Sequence, residues 1–385
     1  MKVWYAPNKF EAYGDEEIEA VNKCLKKGWL AGFGEYSIEF EEKVAKIFGK
    51  KYGLFVNSGS SACLLSIASL DLPKNKEIIT PACTFSTTVA PIVQLGYKPV
   101  FCDVNLNSYV PTFEDIMKLV NKNTVAIMIP NLIGNKPDWK KLKSELVKLN
   151  REDIFLIEDS ADTITYTEDT DISTTSFYAS HIITAGGTGG MVMFNDMKHL
   201  KRAEMFRDWG RIGNNVEEMS ERFQYDVDGI PYDFKFLYSV LGYNMKCSEM
   251  NAAFGLVQLE KFDNFAKIRR NNIERYFDNL KDVKEITLPD DSIKPNWMAL
   301  PLQYEDRYGL LSYLEENNIQ TRVTFAGNVT RHPIFREYLQ NFENADIIMK
   351  DGFLIGAHHG MTFKEVDYVC DKIKEYINLN RSSSS

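Results

Sequence analysis

The sequence predicts an α/β protein, with a large domain on a mostly parallel mixed sheet and a smaller C-terminal α+β domain. Three observations carry this. Short, near-continuous apolar runs alternate with amphipathic segments over the first two thirds of the chain, the pattern of strands covered by helices on both faces. The stretch "SEMNAAFGLVQLEKFDNFAKIRRNNIERYFDNL" keeps a helical period without proline from Ser248 to Leu280, long enough to bridge two domains. Beyond it the alternation becomes shorter and more mixed. The predicted divisions are 1–247, 248–380 and a disordered tail at 381–385, "RSSSS".

Taken in order, "DEEIEAVNKCLKKG" opens on Asp15, places Ile18, Val21 and Leu25 along one face and stops at Gly28, so it predicts a helix. "SIEFEEKVAKIFG" does the same and ends at Gly49. The runs "YGLFVNS", "KEIITP", "KPVFCDV", "TVAIMIP", "DIFLIED" and "GGMVMF" predict strands, several separated by helical stretches such as "FEDIMKLV" and "DWKKLKSELVKLN". After the long helix come "WMALPLQY", "GLLSYLEENN", "IQTRVTF" and a last helix led by "TFKE", whose Thr362 and Glu365 have capping-box spacing.

The 385 residues suggest about two domains, and an apolar fraction of 44% is ordinary for a globular chain. A net charge of -9 argues against nucleic acid as a main partner. No apolar stretch approaches the roughly 18 residues that span a bilayer, and the first residues lack a signal-peptide core. Six scattered cysteines, with no CxxC pair, predict buried reduced thiols and a cytoplasmic location.

Three segments look like parts of one site. In "FVNSGSSACLL" a strand runs into Gly59, Ser60 and Ser61 and then a helix; small residues at a helix N-terminus suit a phosphate, although a tight turn needs the same residues. In "IFLIEDSAD" a strand ends in Glu158 and Asp159, where open α/β sheets bind ligands; a plain strand-end carboxylate reads the same way. In "SFYASHIITAGGTGGMV" Ser176 precedes His181 by five positions, with a glycine run behind it. An anion cradle, an acid and a base are what a pyridoxal phosphate enzyme requires.

The order of "GWLAGFGEYSIEFEEKVAKIFG", "NSGSSA", "TPACTFSTTVAP", "IEDSAD", "SFYASHIITAGGTGG", "LGYNMKCSEMNAAFGLVQLEKF" and "FAGNVTRHPIF" resembles the DegT/StrS group of sugar aminotransferases and dehydratases, across almost the whole chain. The resemblance implies the fold of fold-type I PLP-dependent transferases, with pyridoxal 5′-phosphate or pyridoxamine 5′-phosphate as cofactor. It implies that Gly59, Ser60, Ser61 and Ser176 hold the phosphate and that Phe85 stacks on the pyridine ring. Asp159 would pair with the ring nitrogen and Asp162 with the ring hydroxyl. Asn244 would reach the phosphate side of a neighbouring subunit's site, making a homodimer the active unit.

Aminotransferases of this group carry a lysine, the cofactor's covalent anchor and proton shuttle, where this chain has His181. No lysine lies between Lys148 and Lys198. Histidine gives up the anchor but remains a general base with an ordinary pKa near 6.5. That exchange resembles the nucleotide-sugar 3-dehydratases, which remove the 3-hydroxyl of a nucleotide-linked 4-keto-6-deoxy sugar. One branch acts on a CDP-sugar, holds an iron-sulfur cluster on four cysteines and needs a reductase. This chain has no cysteine from Trp209 through Lys246, so thiolate ligation of a cluster is not expected. The other branch acts on GDP-4-keto-6-deoxymannose and regenerates its cofactor from L-glutamate. The nucleotide stays open, because several motifs match the CDP-sugar branch as well. An aminotransferase that uses His181 as its shuttle, or a non-catalytic sugar-binding relative, are the alternatives. The short "TITYTEDTDI" and the run "AGGTGG" depart from the group's pattern and would reshape the substrate pocket. Arg331, His332, His358 and His359 are candidate sugar contacts or plain surface groups, and no metal site is expected from them.

Overall fold

The structure is a computed structural model that describes residues 1–7, 12–213, 216–290 and 296–383. The main sheet has seven strands: β1 (Tyr52–Val56), β2 (Glu77–Pro81), β3 (Lys98–Cys102), β4 (Thr124–Pro130), β5 (Phe155–Ser160), β6 (Ile172–Ser176) and β7 (Gly190–Phe194). Their order is β1-β7-β6-β5-β4-β2-β3. Strand β7 pairs antiparallel with β1 and β6, and the other pairings are parallel. This is the mostly parallel mixed sheet that the apolar runs predict.

Six of these strands were legible as apolar runs, but β6 was not. Its sequence "ISTTS" is fully buried yet mostly hydroxylated. The hydroxyls find partners on β5: Ser173 donates to the Glu158 carboxylate, Thr174 to Asp159 Oδ1 and Thr175 to the Ser160 carbonyl. A paired hydroxyl can be buried at little cost, so this strand needs no apolar pattern.

Helices α1 (Asp15–Lys27), α2 (Glu35–Ile47), α3 (Gly59–Ala68), α4 (Ser86–Gln94), α5 (Phe113–Met117), α6 (Trp139–Lys148), α7 (Met197–Arg207) and α8 (Met219–Arg222) accompany the sheet, with a small hairpin of β8 (Tyr225–Val227) and β9 (Ile230–Tyr232). The long helix α9 (Glu249–Leu280) follows. Ser248, directly after the proposed boundary at 247, caps α9 by accepting from the Asn251 N–H. Helix α1 runs where the sequence places it, with Gly28 at its C-cap, and packs on α9 through a partly polar face. Ile18 and Leu25 are exposed, whereas Glu17 and Cys24 are buried. Glu17 accepts from Gln258 and Lys261 of α9 and from the Gly14 N–H, so a paired carboxylate takes the place of the apolar stripe.

The smaller unit is a three-stranded antiparallel sheet, β10 (Ala299–Gln303), β11 (Thr321–Val323) and β12 (Gly352–Gly356), with β12 in the centre. It carries α10 (Arg307–Glu316), α11 (Glu343–Asp351) and α12 (Phe363–Ser383). Thr362 and Glu365 form the expected capping box on α12, each accepting the other's backbone N–H. That helix runs through Ser383, and Arg381 pairs with Glu285. The structure therefore corrects the expected disordered tail over 381–383, and residues 384 and 385 lie outside the described residues. Val3 pairs with Ile319, so the first residues of the predicted large domain lie on the smaller unit. One continuous core joins the two, with Phe40 and Phe177 on one side and Trp297 and Phe353 on the other.

Candidate active site

Helix α3 starts where β1 ends. Ser58 caps it by accepting from the Ser61 N–H at 3.1 Å, which leaves the first amides of the turn facing outward. Two close approaches fix this turn. A Cβ on Gly190 would lie 2.3 Å from the Ser58 carbonyl group, and a Cβ on Gly59 would lie 2.7 Å from Ser176 Cβ. The glycine run behind His181 thus has a structural reason: Gly190 lets β7 abut the start of α3.

A cavity of about 300 Å³ opens there, lined by Gly59, Ser60, Phe85, Asp159, Asp162, Ser176 and His181, together with Thr88, Tyr178 and Phe325. Seven of the nine predicted site residues meet in it. Ser61 does not reach the wall; its hydroxyl donates to Asn57 at 2.7 Å and its N–H serves the cap. Asn244 is exposed, bridges to Asp208 and lies away from this chain's own cavity.

Asp159 stands at the carboxyl end of β5. It accepts from the Thr88 hydroxyl at 2.7 Å, the Ala161 N–H at 3.2 Å and the Thr174 hydroxyl at 3.5 Å. Burial pushes its pKa up against those bonds, and it forms no salt bridge among the described residues. Asp162 accepts from the Ile133 N–H at 2.8 Å, and burial, with Asp159 nearby, raises it to about 7. Phe85, just before α4, keeps a half-exposed ring whose edge meets Phe325 of the smaller unit at 6.4 Å. Thr88, in the first turn of α4, was missed; its partner Asp159 lies 71 positions away, so no local spacing marks it.

His181 ends a turn, its N–H donating to the Tyr178 carbonyl at 3.0 Å. Its Nδ1 is buried without a hydrogen-bond partner among the described residues. Burial lowers its pKa to about 4, the Ser176 backbone nearby opposes this, and the charge of Arg269 adds to the lowering. The imidazole is therefore neutral at pH 7 and able to accept a proton. No lysine lines this cavity among the described residues. A second cavity of about 550 Å³ adjoins it, sharing Phe85, Tyr178, His181 and Phe325 and reaching Tyr5, Arg322 and His332. Of the candidate sugar contacts, only His332 lies there. Arg331 pairs with Asp346, and His358 is held by the Trp4 carbonyl and the Gly360 N–H. His359 stacks on Phe265 at 3.8 Å.

A helix N-terminus, a buried strand-end acid and a half-exposed aromatic at the carboxyl edge of such a sheet are what the fold-type I pyridoxal-phosphate transferase class calls for. The chain belongs to the DegT/DnrJ/EryC1/StrS aminotransferase family, which its residues 11–374 match. It is 34% identical to the lipopolysaccharide biosynthesis protein RfbH of Salmonella typhimurium, over 97% of this chain and 92% of the relative. It is also 34% identical to a dTDP-4-dehydro-2,6-dideoxy-D-glucose 3-dehydratase of Saccharopolyspora spinosa, over 94% of this chain and 84% of the relative. Among solved structures it resembles a GDP-4-keto-6-deoxy-D-mannose-3-dehydratase of E coli with bound hydrated PLP. The TM-score is 0.85 at 27% identity, covering 97% of this chain and all of that one.

The cavity fits pyridoxal phosphate by its own chemistry. Asp159 forms no ion pair among the described residues, so a protonated pyridine nitrogen would supply its counter-charge. The contact between Gly59 and Ser176 leaves no room for a Cβ, so an anion placed there would meet backbone and hydroxyl.

Proposed function

We propose that this protein is a pyridoxamine-phosphate-dependent nucleotide-sugar 3-dehydratase, converting a nucleotide-linked 4-keto-6-deoxyhexose into a 3,6-dideoxy-4-keto sugar. The observation that carries the reading is His181: a neutral base in the cofactor cavity, at the position where the family's aminotransferases keep lysine. When bound, pyridoxamine phosphate supplies an amine for the sugar's keto group and an electron-withdrawing ring. Gly59, Ser60 and Ser176 bind its phosphate, Phe85 covers its ring, and Asp159 keeps its ring nitrogen protonated. Asp162 takes the ring hydroxyl. His181 removes the proton from the carbon next to the amine and, once protonated, donates to the departing 3-hydroxyl. The larger adjoining cavity, with aromatic walls and Arg322 at its edge, receives the sugar and its diphosphate. Hydrolysis of the product imine returns the keto group and releases the nitrogen as ammonia, and L-glutamate restores the cofactor's amine as it becomes 2-oxoglutarate. No reductase takes part, since no cysteine stands between Trp209 and Lys246 to build a cluster.

The active unit is a homodimer in the cytoplasm. Its support is exposed apolar surface on α1, α2 and the turn between them: Ile18, Leu25, Trp29, Leu30 and Ile38. Asn244 then contributes to the partner's site. Incubation with glutamate and GDP-, CDP-, UDP- and dTDP-linked 4-keto-6-deoxy sugars, read by mass spectrometry, tests the function. Loss of one oxygen from the sugar is expected. An amine at carbon 4 instead would establish an aminotransferase, and no reaction with any sugar or with glutamate would leave a binding protein.

A further inference from the structure

Arg269 lies in the middle of α9 with no solvent exposure. Among the described residues no carboxylate pairs with it, and burial pulls its pKa down to about 10. A buried cation without an anion is costly, so its contacts call for a reason. It makes two. Nη1 donates to the Met298 carbonyl at 2.7 Å and Nη2 to the His181 carbonyl at 3.3 Å. Both carbonyls belong to the site. The Met298 N–H donates to the Ile133 carbonyl at 2.9 Å, and the Ile133 N–H donates to Asp162 at 2.8 Å. Ile133 holds φ at 64° to do so, a conformation that β-branched residues rarely adopt. One guanidinium thus ties the turn that bears His181 to the peptide that backs Asp162.

We propose that Arg269 is a positioning residue for proton transfer at His181, clamping the His181 and Met298 carbonyls and setting a fixed positive charge behind the imidazole. This rests on the reading of His181 as the base. The charges around the pair come from every neighbouring element. Asp159 and Asp162 share the cavity with His181 and Tyr178, whereas Tyr5, His358 and His359 surround Arg269 from the N-terminal segment and the loop after β12. All three are uncharged at neutral pH, since burial raises the Tyr5 hydroxyl and lowers both imidazoles. The Arg269 charge is therefore free to disfavour a second positive charge on His181. Burial remains the larger cause of that effect.

The test uses the full chain labelled with ¹³C-histidine and titrated by NMR without cofactor, the His181 signal being identified by its loss in His181→Asn. Arg269→Met removes fork and charge; Arg269→Lys keeps the charge and loses the fork. The His181 midpoint should rise in Arg269→Met and stay low in Arg269→Lys. In the loaded enzyme the acid limb of kcat/KM should follow the same order, and kcat should fall about 10- to 100-fold in both variants through misplacement of the base. An unmoved midpoint in Arg269→Met, or a parental kcat in Arg269→Lys, would overturn the proposal. Should Arg269→Met not fold, the Lys variant decides on its rate alone. Parental activity in His181→Asn would instead defeat the reading of His181, while the cofactor-free titration still reports on Arg269.

Discussion

Adding one methyl group at Gly59 tests whether the start of α3 is the phosphate cradle. In Gly59→Ala the new Cβ would lie 2.7 Å from Ser176 Cβ and 3.1 Å from its Oγ. Unstrained carbon contacts begin near 3.5 Å, so about 0.8 Å must be made up by moving Ser176 or the first turn of the helix. Both carry the proposed phosphate contacts. Overpacking of this size costs about 1–3 kcal/mol. If the cost falls on the bound state, affinity for pyridoxal phosphate drops about 5- to 150-fold at 1.4 kcal/mol per tenfold. Equilibrium titration of the cofactor-free protein, followed by absorbance, measures it. Ser60→Ala, which removes one exposed hydroxyl and leaves the backbone turn intact, should lose less affinity than Gly59→Ala. Parental affinity in Gly59→Ala would refute the placement of the phosphate.

Asp159→Asn should leave the cofactor-free protein at least as stable by thermal melting, because it removes a buried carboxylate that forms no salt bridge among the described residues. Turnover with glutamate should fall about 10²- to 10³-fold through loss of ring-nitrogen protonation; a near-parental rate would argue against that pairing. Asp162, raised from 3.8 to about 7, binds a proton in the folded state that the unfolded chain lacks between those values. Its contribution to cofactor-free stability is full below pH 3.8 and is lost as pH rises through about 7. Denaturant unfolding of Asp162→Asn across that range should lack this decline, and an identical slope in variant and parent would contradict the raised pKa.

Much of the fold was legible in the sequence because most strands are buried by apolar residues. Strand β6 was hidden because it forms the polar wall behind Asp159, where hydroxyls bonded to β5 replace apolar side chains. Helix α1 was legible as a helix, but its burial was not: the stripe of Ile18 and Leu25 is exposed while Glu17 is buried. Periodicity marks a helix but does not say which face is covered when paired charges can be buried too. The residues that line the candidate cavity were legible where they are local in sequence, as in Gly59–Ser60, Asp159 and the Ser176–His181 turn. They were not legible where the partner is distant. Arg269 sits 88 positions from His181, and Phe325 meets Phe85 from the other unit; neither leaves a spacing to read. Asn244 carries no local signature of its position either, and the structure sets it outside this chain's cavity.

The central claim is that His181 moves the proton without anchoring the cofactor, and His181→Asn tests it most directly. Rates of the glutamate half-reaction and of sugar dehydration are measured in the same variant, beside its affinity for pyridoxal phosphate. Both rates should fall about 10²- to 10⁴-fold, the usual contribution of a positioned general base. Affinity should change little, because Gly59, Ser60, Ser176 and Asp159 are untouched. Dehydration by His181→Asn at the parental rate would contradict the account.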